Sequence, residues 1–266
     1  MNEIIKFEDH RISFSDHGKG MPIVLLHGFL ESLEMWNAFV AGLSNDFRVI
    51  CIDLPGHGKS PVYKDSLTME IMARWVKAVL DHLQVERCIM IGHSMGGYVS
   101  LEYAMQYPEM LSAFGLFHSH ASADTEESKE NRRRSINIVK LNKAGFINQF
   151  IPDLFAEDNV EKFDAEITRL QEIASETPAK GIIAALEAMR GRSGKIELLL
   201  NTVVPVLFIA GKEDPRIPVQ NILAQAILPQ HSEVLILGKV GHMGFMEAQS
   251  KTLEMIRCFV QRAQAK

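Results

Sequence analysis

The stretch "IGHSMGGYV", residues 91–99, places Ser94 between glycines at positions 92 and 96, directly after an apolar run. The pattern G-x-S-x-G is typical of a sharp turn between a strand and a helix that exposes a nucleophilic serine. A pattern this short needs support from its surroundings. Residues 88–91 predict the preceding strand and residues 95–107 predict the following helix, so the context favours a nucleophile over a small residue in a turn.

Short apolar runs alternate with helical patterns along the rest of the chain. The predicted strands cover 22–26, 48–53, 88–91, 113–117, 205–210 and 233–237, and residues 3–7 and 11–15 predict an antiparallel hairpin at the sheet edge. Strands that are apolar on both faces favour a parallel sheet covered by helices on both sides. The predicted fold class is therefore α/β, a doubly wound, mostly parallel sheet of eight strands.

The alternation stops after about Ser122. Residues 124–194 are charged and helix-patterned, with expected breaks at Gly145, Pro152, Pro178 and Gly181. An unstructured loop of this length is improbable in a compact domain. We therefore expect a core domain formed by 1–123 and 195–266, with a helical cap inserted at 124–194.

Composition excludes several classes of protein. The 266 residues carry a net charge of −5, and no apolar run approaches the ~20 residues that cross a membrane. The compact basic cluster 132–134 lies among glutamates and predicts a solvated helix face, so we expect neither a membrane nor a nucleic-acid partner. The N-terminus shows no secretory signal, which predicts a cytoplasmic protein, and Cys51, Cys88 and Cys258 are expected to be buried free thiols.

A serine hydroxyl needs a base to remove its proton. His242 follows the last predicted strand and precedes the last predicted helix, whereas His118, His120 and His231 lie at the ends of earlier elements. We therefore expect His242 to be the base.

The base needs an acid that fixes its tautomer. Asp214 directly follows the predicted strand 205–210, at the carboxyl edge of the sheet, where ligands bind in open α/β folds. It is preferred to its neighbour Glu213, to Asp124 after an earlier strand, and to Asp53, which precedes the serine.

An oxyanion requires two fixed N–H donors. The segment "LLHGFLES" follows a strand and turns into a helix, so the backbone N–H groups of Phe29 and Met95 are the expected pair. The side chains of His27 and His93 are expected to brace loops.

Five motifs in register carry a resemblance that covers nearly the whole chain. They are "HGF" at 27–29, "DLPGHGKS" at 53–60, "GHSMGG" at 92–97, "GKED" at 211–214 and "GH" at 241–242. The chain resembles the α/β-hydrolase superfamily, and the order Ser94, Asp214, His242 is that of the family. The segment after residue 117 resembles small bacterial carboxylesterases and 3-oxoadipate enol-lactonase-like proteins, with His118, His120 and Met243 as expected substrate-pocket residues.

The resemblance implies a serine hydrolase that cleaves a small carboxylic ester, thioester or lactone through an acyl-enzyme on Ser94. Haloalkane dehalogenases and epoxide hydrolases of this fold carry aspartate at the elbow, which this chain lacks. The substrate is expected to be a small acyl compound, with no cofactor and no metal, and the oligomeric state is left open. The alternatives are a C–C bond hydrolase, an acyltransferase or a perhydrolase on the same residues, or a ligand sensor with slow turnover.

Overall fold

The computed structural model describes residues 3–63 and 66–264. Its strands form one eight-stranded sheet in the order β1-β2-β4-β3-β5-β6-β7-β8. The strands are β1 (Glu3–Phe7), β2 (His10–His17), β3 (Pro22–Leu26), β4 (Arg48–Ile52), β5 (Cys88–His93), β6 (Leu111–Phe117), β7 (Val206–Gly211) and β8 (Ser232–Leu237). This arrangement confirms the predicted fold class.

Strand β2 is antiparallel to both of its neighbours, and the other neighbouring pairs are parallel. The predicted hairpin therefore forms β1 and β2. The central strands are buried on both faces, as expected for a sheet covered by helices. Strand β8 differs, because it lies at the sheet edge and leaves Val234 and Ile236 exposed.

Helices cover both faces of the sheet and form the segment between β6 and β7. They are α1 (Asn37–Leu43), α2 (Met69–His82), α3 (Met95–Gln106), α4 (Glu126–Phe150), α5 (Asp164–Glu176), α6 (Ala179–Gly191), α7 (Ile196–Asn201), α8 (Val219–Ala226), α9 (Gly244–Glu247) and α10 (Gln249–Gln264). Short 3₁₀ turns are Leu33–Trp36, Pro108–Met110, Pro152–Leu154 and Glu157–Asn159. The N-cap of α2 is Thr68, whose side chain accepts the N–H of Ile71.

The inserted segment, residues 124–194, contains α4, α5 and α6. Helix α4 is interrupted at Asn142, three residues before the expected break at Gly145. Gly181 was expected to break a helix but lies inside α6, where a Cβ would stand 2.7 Å from the carbonyl oxygen of Gly56. The glycine is thus needed for a close approach between two backbones. The division into core and cap domains remains a prediction.

The core lies on both sides of the sheet, and Trp36, Trp75 and Phe14 are among its fully buried side chains. Cys51 and Cys88 are free and buried as expected, but Cys258 is only half-buried. Across residues 3–63 and 66–264, no helix has the length and apolar character that a membrane span requires.

Candidate active site

The turn after β5 holds Ser94 in a conformation that L residues rarely adopt, with φ 49° and ψ −112°. A Cβ at Gly92 would stand 2.2 Å from the carbonyl oxygen of Gly96, and one at Gly96 would stand 2.5 Å from that of Leu26. Both positions therefore need glycine. The strained turn is fixed by the Ser94 N–H, which donates to the carbonyl of Phe117 at 2.8 Å.

Asp214 and His242 come together at the carboxyl edge of the sheet, from the loops after β7 and β8. Nδ1 of His242 lies 2.8 Å from Oδ2 of Asp214, and the other carboxylate oxygen accepts the backbone N–H groups of Arg216 and Ile217 at 2.8 and 2.9 Å. Burial alone would raise the pKa of Asp214, but the charge of His242 and the imidazole hydrogen bonds outweigh it and hold that pKa far below its usual range. The carboxylate is thus ionised and firmly oriented.

His118 also contacts the acid. Its Nδ1 lies 3.0 Å from Oδ2 of Asp214, and its side chain has no exposed area. Burial lowers the pKa of His118 to about 4, although the hydrogen bond to Asp214 opposes this shift. One ring nitrogen each of His118 and His242 and one carboxylate oxygen of Asp214 lie within 4.8 Å of one another, and residues of these types can bind a metal ion. Two N–H···O hydrogen bonds to one carboxylate oxygen account for this arrangement.

A cavity of about 220 Å³ opens beside Ser94 and His242, which both line it. Its other lining residues are Phe29, Glu31, His93, Tyr98, His120, Asp124, Ser128, Asn131, Arg132, Ser135, Phe150, Leu154, Leu186, Met189, Arg216 and Ile217. Of the three expected pocket residues, the cavity includes only His120. His118, which bonds Asp214, and Met243 are fully buried and are not among its lining residues.

The two expected oxyanion donors come from the loop after β3 and from the residue that follows Ser94. Phe29 lines the cavity, and Met95 is the first residue of α3, where a helix leaves its N–H groups without intrahelical partners. Within the described part of the chain, neither backbone N–H forms a hydrogen bond. Both groups are therefore available to a ligand oxygen.

His27 and His93 connect loops. His27 bonds the carbonyl of its neighbour Gly28 and accepts the N–H of Leu54 at 2.9 Å. The ring nitrogens of His93 lie 3.0 Å from Oε2 of Glu31 and 3.0 Å from the carbonyl oxygen of His242.

Carboxylate and carbonyl oxygens only accept hydrogen bonds, so both nitrogens of His93 carry protons and the ring is a cation. Burial would lower the pKa of His93, but the charge and hydrogen bond of Glu31 outweigh it and raise that pKa. Sequence reasoning missed Glu31, whose Oε2 also accepts the N–H of Gly28 at 2.5 Å. The sequence offered one indication of a role at the site, since Glu31 lies two residues after the expected oxyanion donor Phe29.

The alternative acids have other partners. Asp124 binds Arg132 and Arg192, and Asp53 accepts the backbone N–H groups of Leu33 and Lys59. Glu213 is exposed. Among the described carboxylates, Asp214 alone forms an ion pair with His242.

Comparison with known proteins agrees with this architecture. The family model described as "alpha/beta hydrolase fold" matches residues 21–133. A thermophilic esterase from Thermogutta terrifontis, solved with malate bound, has a TM-score of 0.92 and 30% sequence identity, and the match covers 99% of each chain. The chain belongs to the α/β-hydrolase fold family, as a carboxylic ester hydrolase of that fold.

Two curated relatives match by sequence. A pimeloyl-[acyl-carrier protein] methyl ester esterase from Aeromonas hydrophila is 28% identical over 263 residues, which are 94% of this chain and 99% of the relative. The dihydrolipoyllysine-residue acetyltransferase component of an acetoin cleaving system from Pseudomonas putida is 30% identical over 251 residues, 91% of this chain. The match spans only 64% of the acetyltransferase component.

Proposed function

We propose that this protein hydrolyses a small carboxylic ester, thioester or lactone through an acyl-enzyme on Ser94. The observation that carries the proposal is the shared cavity: Ser94, on its strained turn, and His242, bonded to Asp214, line the same space. A serine, a base and an oriented acid are the parts that acyl transfer to water requires.

In this proposal His242 acts as the base. Because Nδ1 of His242 donates to Asp214, its other nitrogen, Nε2, is the acceptor for the hydroxyl proton of Ser94. The described residues show no hydrogen bond between the Ser94 hydroxyl and His242, so the mechanism requires this bond to form with substrate in place. Catalytic hydrogen bonds commonly shorten in that way.

The attack of Ser94 Oγ on the carbonyl carbon places negative charge on the carbonyl oxygen. The N–H groups of Phe29 and Met95 would donate hydrogen bonds to this oxyanion, because neither group has a partner among the described residues. His242 then returns the proton to the leaving alcohol, thiol or ring oxygen. A water molecule deprotonated by His242 cleaves the acyl-enzyme and restores Ser94.

The inserted segment would determine which substrates fit. Helix α4 contributes Ser128, Asn131, Arg132 and Ser135 to the cavity wall, and α6 contributes Leu186 and Met189. Ser94 and His242, from the loops of the sheet, line the same cavity. We therefore assign this segment, residues 124–194, the role of a cap that shapes the substrate pocket.

A fluorophosphonate probe tests the nucleophile. Intact-protein mass spectrometry should show one probe adduct on the unchanged protein and none on Ser94→Ala, together with a loss of ester hydrolysis of roughly 10⁴-fold or more. Ser100→Ala is the matched control, since Ser100 is a buried serine on α3 whose hydroxyl bonds the carbonyl of Gly96. It should keep both labelling and turnover.

Circular dichroism melting should show that Ser94→Ala is folded. Retention of labelling or of hydrolysis by a folded Ser94→Ala variant would exclude the acyl-enzyme on Ser94. Short acyl chains in p-nitrophenyl esters, from acetyl to butanoyl, suit the small cavity and are the first substrates to measure.

A further inference from the structure

We propose that the substrate carries a second, anionic group, which the guanidinium of Arg216 binds with Arg132 beside it. This inference rests on the proposed function, because Ser94 cleaves the ester while the arginines hold the anion. Both arginines line the cavity that contains Ser94. Arginine presents a planar set of donors that matches a carboxylate.

Arg216 is held in place by its backbone and by an aromatic ring. Its N–H donates to Oδ1 of Asp214 at 2.8 Å, and its guanidinium carbon lies 4.5 Å from the centre of the Phe150 ring, which also lines the cavity. Within the described ranges, Arg216 forms no ion pair. Its positive charge is therefore available to a ligand.

The electrostatic surroundings of Arg216 point the same way. Burial lowers the pKa of Arg216, and the positive charge of Arg132 lowers this pKa further. The negative charges of Asp153 and Asp214, which lie beyond ion-pair distance, act to raise it. Two like charges thus lie close enough to repel each other. An anion placed between Arg132 and Arg216 would relieve this repulsion.

Arg132 belongs to a cluster with an excess of positive charge. The carboxylate of Asp124 accepts hydrogen bonds from Nε of Arg132 and from Nη1 of Arg192, both at 2.5 Å. One negative charge is therefore paired with two positive charges. The side chains of Asp124 and Arg192 are only 4% exposed. The three residues together therefore carry a net charge of +1 inside the protein.

The remaining carboxylate of the cavity wall does not cancel this charge. Glu31 lines the cavity but is bonded to the His93 cation and to the N–H of Gly28. Its charge is already compensated. The cavity consequently offers a net positive potential to any ligand.

The polar wall beside the arginines can complete the coordination of a carboxylate. Ser128, Asn131 and Ser135 lie three and four residues apart, on the same face of α4 as Arg132, and all line the cavity. Hydroxyl and amide groups donate hydrogen bonds to carboxylate oxygens.

Matched pairs of esters test this inference. Monomethyl succinate and methyl levulinate differ only in whether the far end of the acyl group is a carboxylate or an acetyl group. Acetoxyacetate and acetoxyacetone make the same comparison on the alcohol side. We expect kcat/KM to favour the anionic member of at least one pair by about tenfold or more, since a charged hydrogen bond is lost in the neutral member.

Variants assign the preference to a residue. Arg216→Gln should reduce the anionic-to-neutral ratio of kcat/KM by about tenfold, and Arg216→Lys should keep part of it because the charge remains. Arg133→Gln is the matched control: it removes an exposed arginine of α4 that pairs with Glu130 outside the cavity. Its ratio should equal that of the unchanged protein. A ratio near one in both pairs, or a ratio that Arg216→Gln does not change, would overturn the proposal.

Binding to the folded Ser94→Ala variant separates this inference from the proposed function. Isothermal titration of succinate and glycolate, the anionic acyl and alcohol products, should show binding that Arg216→Gln weakens by about tenfold. Such binding without any ester hydrolysis by the unchanged protein would retain the anion site and exclude the function. Hydrolysis of both members of each pair at equal rates, with Arg216-independent binding, would retain the function and exclude the anion site.

Discussion

Nδ1 of His118 lies 3.0 Å from Oδ2 of Asp214, the same carboxylate oxygen that Nδ1 of His242 contacts at 2.8 Å. Because an ionised carboxylate only accepts hydrogen bonds, each ring must present its Nδ1–H to that oxygen. The orientation of Asp214 is therefore fixed by four donors, two imidazoles and two backbone N–H groups.

His118 is thus predicted to act through Asp214 as a positioning residue. His118→Leu removes the donor, and we expect kcat to fall by about tenfold or more with little change in KM. His118→Asn offers a side-chain N–H near the same place and should restore most of kcat. Steady-state kinetics on a short-chain ester, with thermal melting to confirm folding, checks this; equal losses in both variants would contradict it.

Nε2 of His118 lies so close to Gly244 that a larger residue at position 244 is predicted to disturb the site. A Cβ at position 244 would stand 2.3 Å from Nε2 of His118, which is buried and has no hydrogen-bond partner within the described chain. Gly244→Ala should therefore displace the ring, lower kcat by about tenfold and destabilise the fold by about 1–3 kcal/mol.

Gly238→Ala provides the control for this steric argument, since position 238 lies in the same loop region and a Cβ there would meet nothing within 4 Å. The Gly238→Ala variant should have nearly the same kcat and the same free energy of unfolding in urea as the unchanged protein. If both alanine variants lose activity equally, the contact with His118 is not the cause.

Buried neutral histidines predict a loss of stability in acid. Burial lowers the pKa values of His27, His118 and His120 from 6.5 to about 4 and that of His57 to about 3. Between pH 6.5 and about 4 the unfolded chain therefore binds more protons, so stability rises with pH in this window and falls as pH is lowered. Four protons correspond to a slope of up to about 5 kcal/mol per pH unit.

Urea unfolding at pH steps between 7 and 4.5 measures this slope. His120→Gln should reduce proton uptake on unfolding by about one, because the imidazole that titrates is removed. His93 behaves in the opposite sense: its pKa is raised, so its contribution is complete below 6.5 and is lost as pH rises through the folded value. A stability that stays flat from pH 7 to 4.5 would contradict the prediction.

The positions of the strands along the chain and the sharp turn around Ser94 were readable from the sequence because they depend on local chemistry. Apolar runs of five or six residues and glycines at 92 and 96 encode a buried strand and a sharp turn without reference to distant residues. The cap of α2 is not fixed locally in this way, because Ser66 and Thr68 both offer a hydroxyl and only the fold makes Thr68 the N-cap.

The roles of the other histidines could not be read in this way. His118 and His120 are two residues apart after β6, and a strand end alone does not tell which ring faces the cavity. The positive φ of His118, 47°, turns its side chain towards Asp214, 96 residues further along the chain. The partnership of Glu31 with His93 likewise joins the loop after β3 to the last residue of β5, 62 residues further along the chain.

The His93 cation has a consequence for how this enzyme can be altered. Through Glu31 and the carbonyl of His242, one ring joins the loop that presents Phe29 to the loop that presents the base. A transplanted loop without a carboxylate at the position of Glu31 would arrive without its half of this connection. The two loops and residue 93 must therefore be exchanged together. New substrate preferences are more readily obtained by substitutions in α4 and α6, which take no part in this connection.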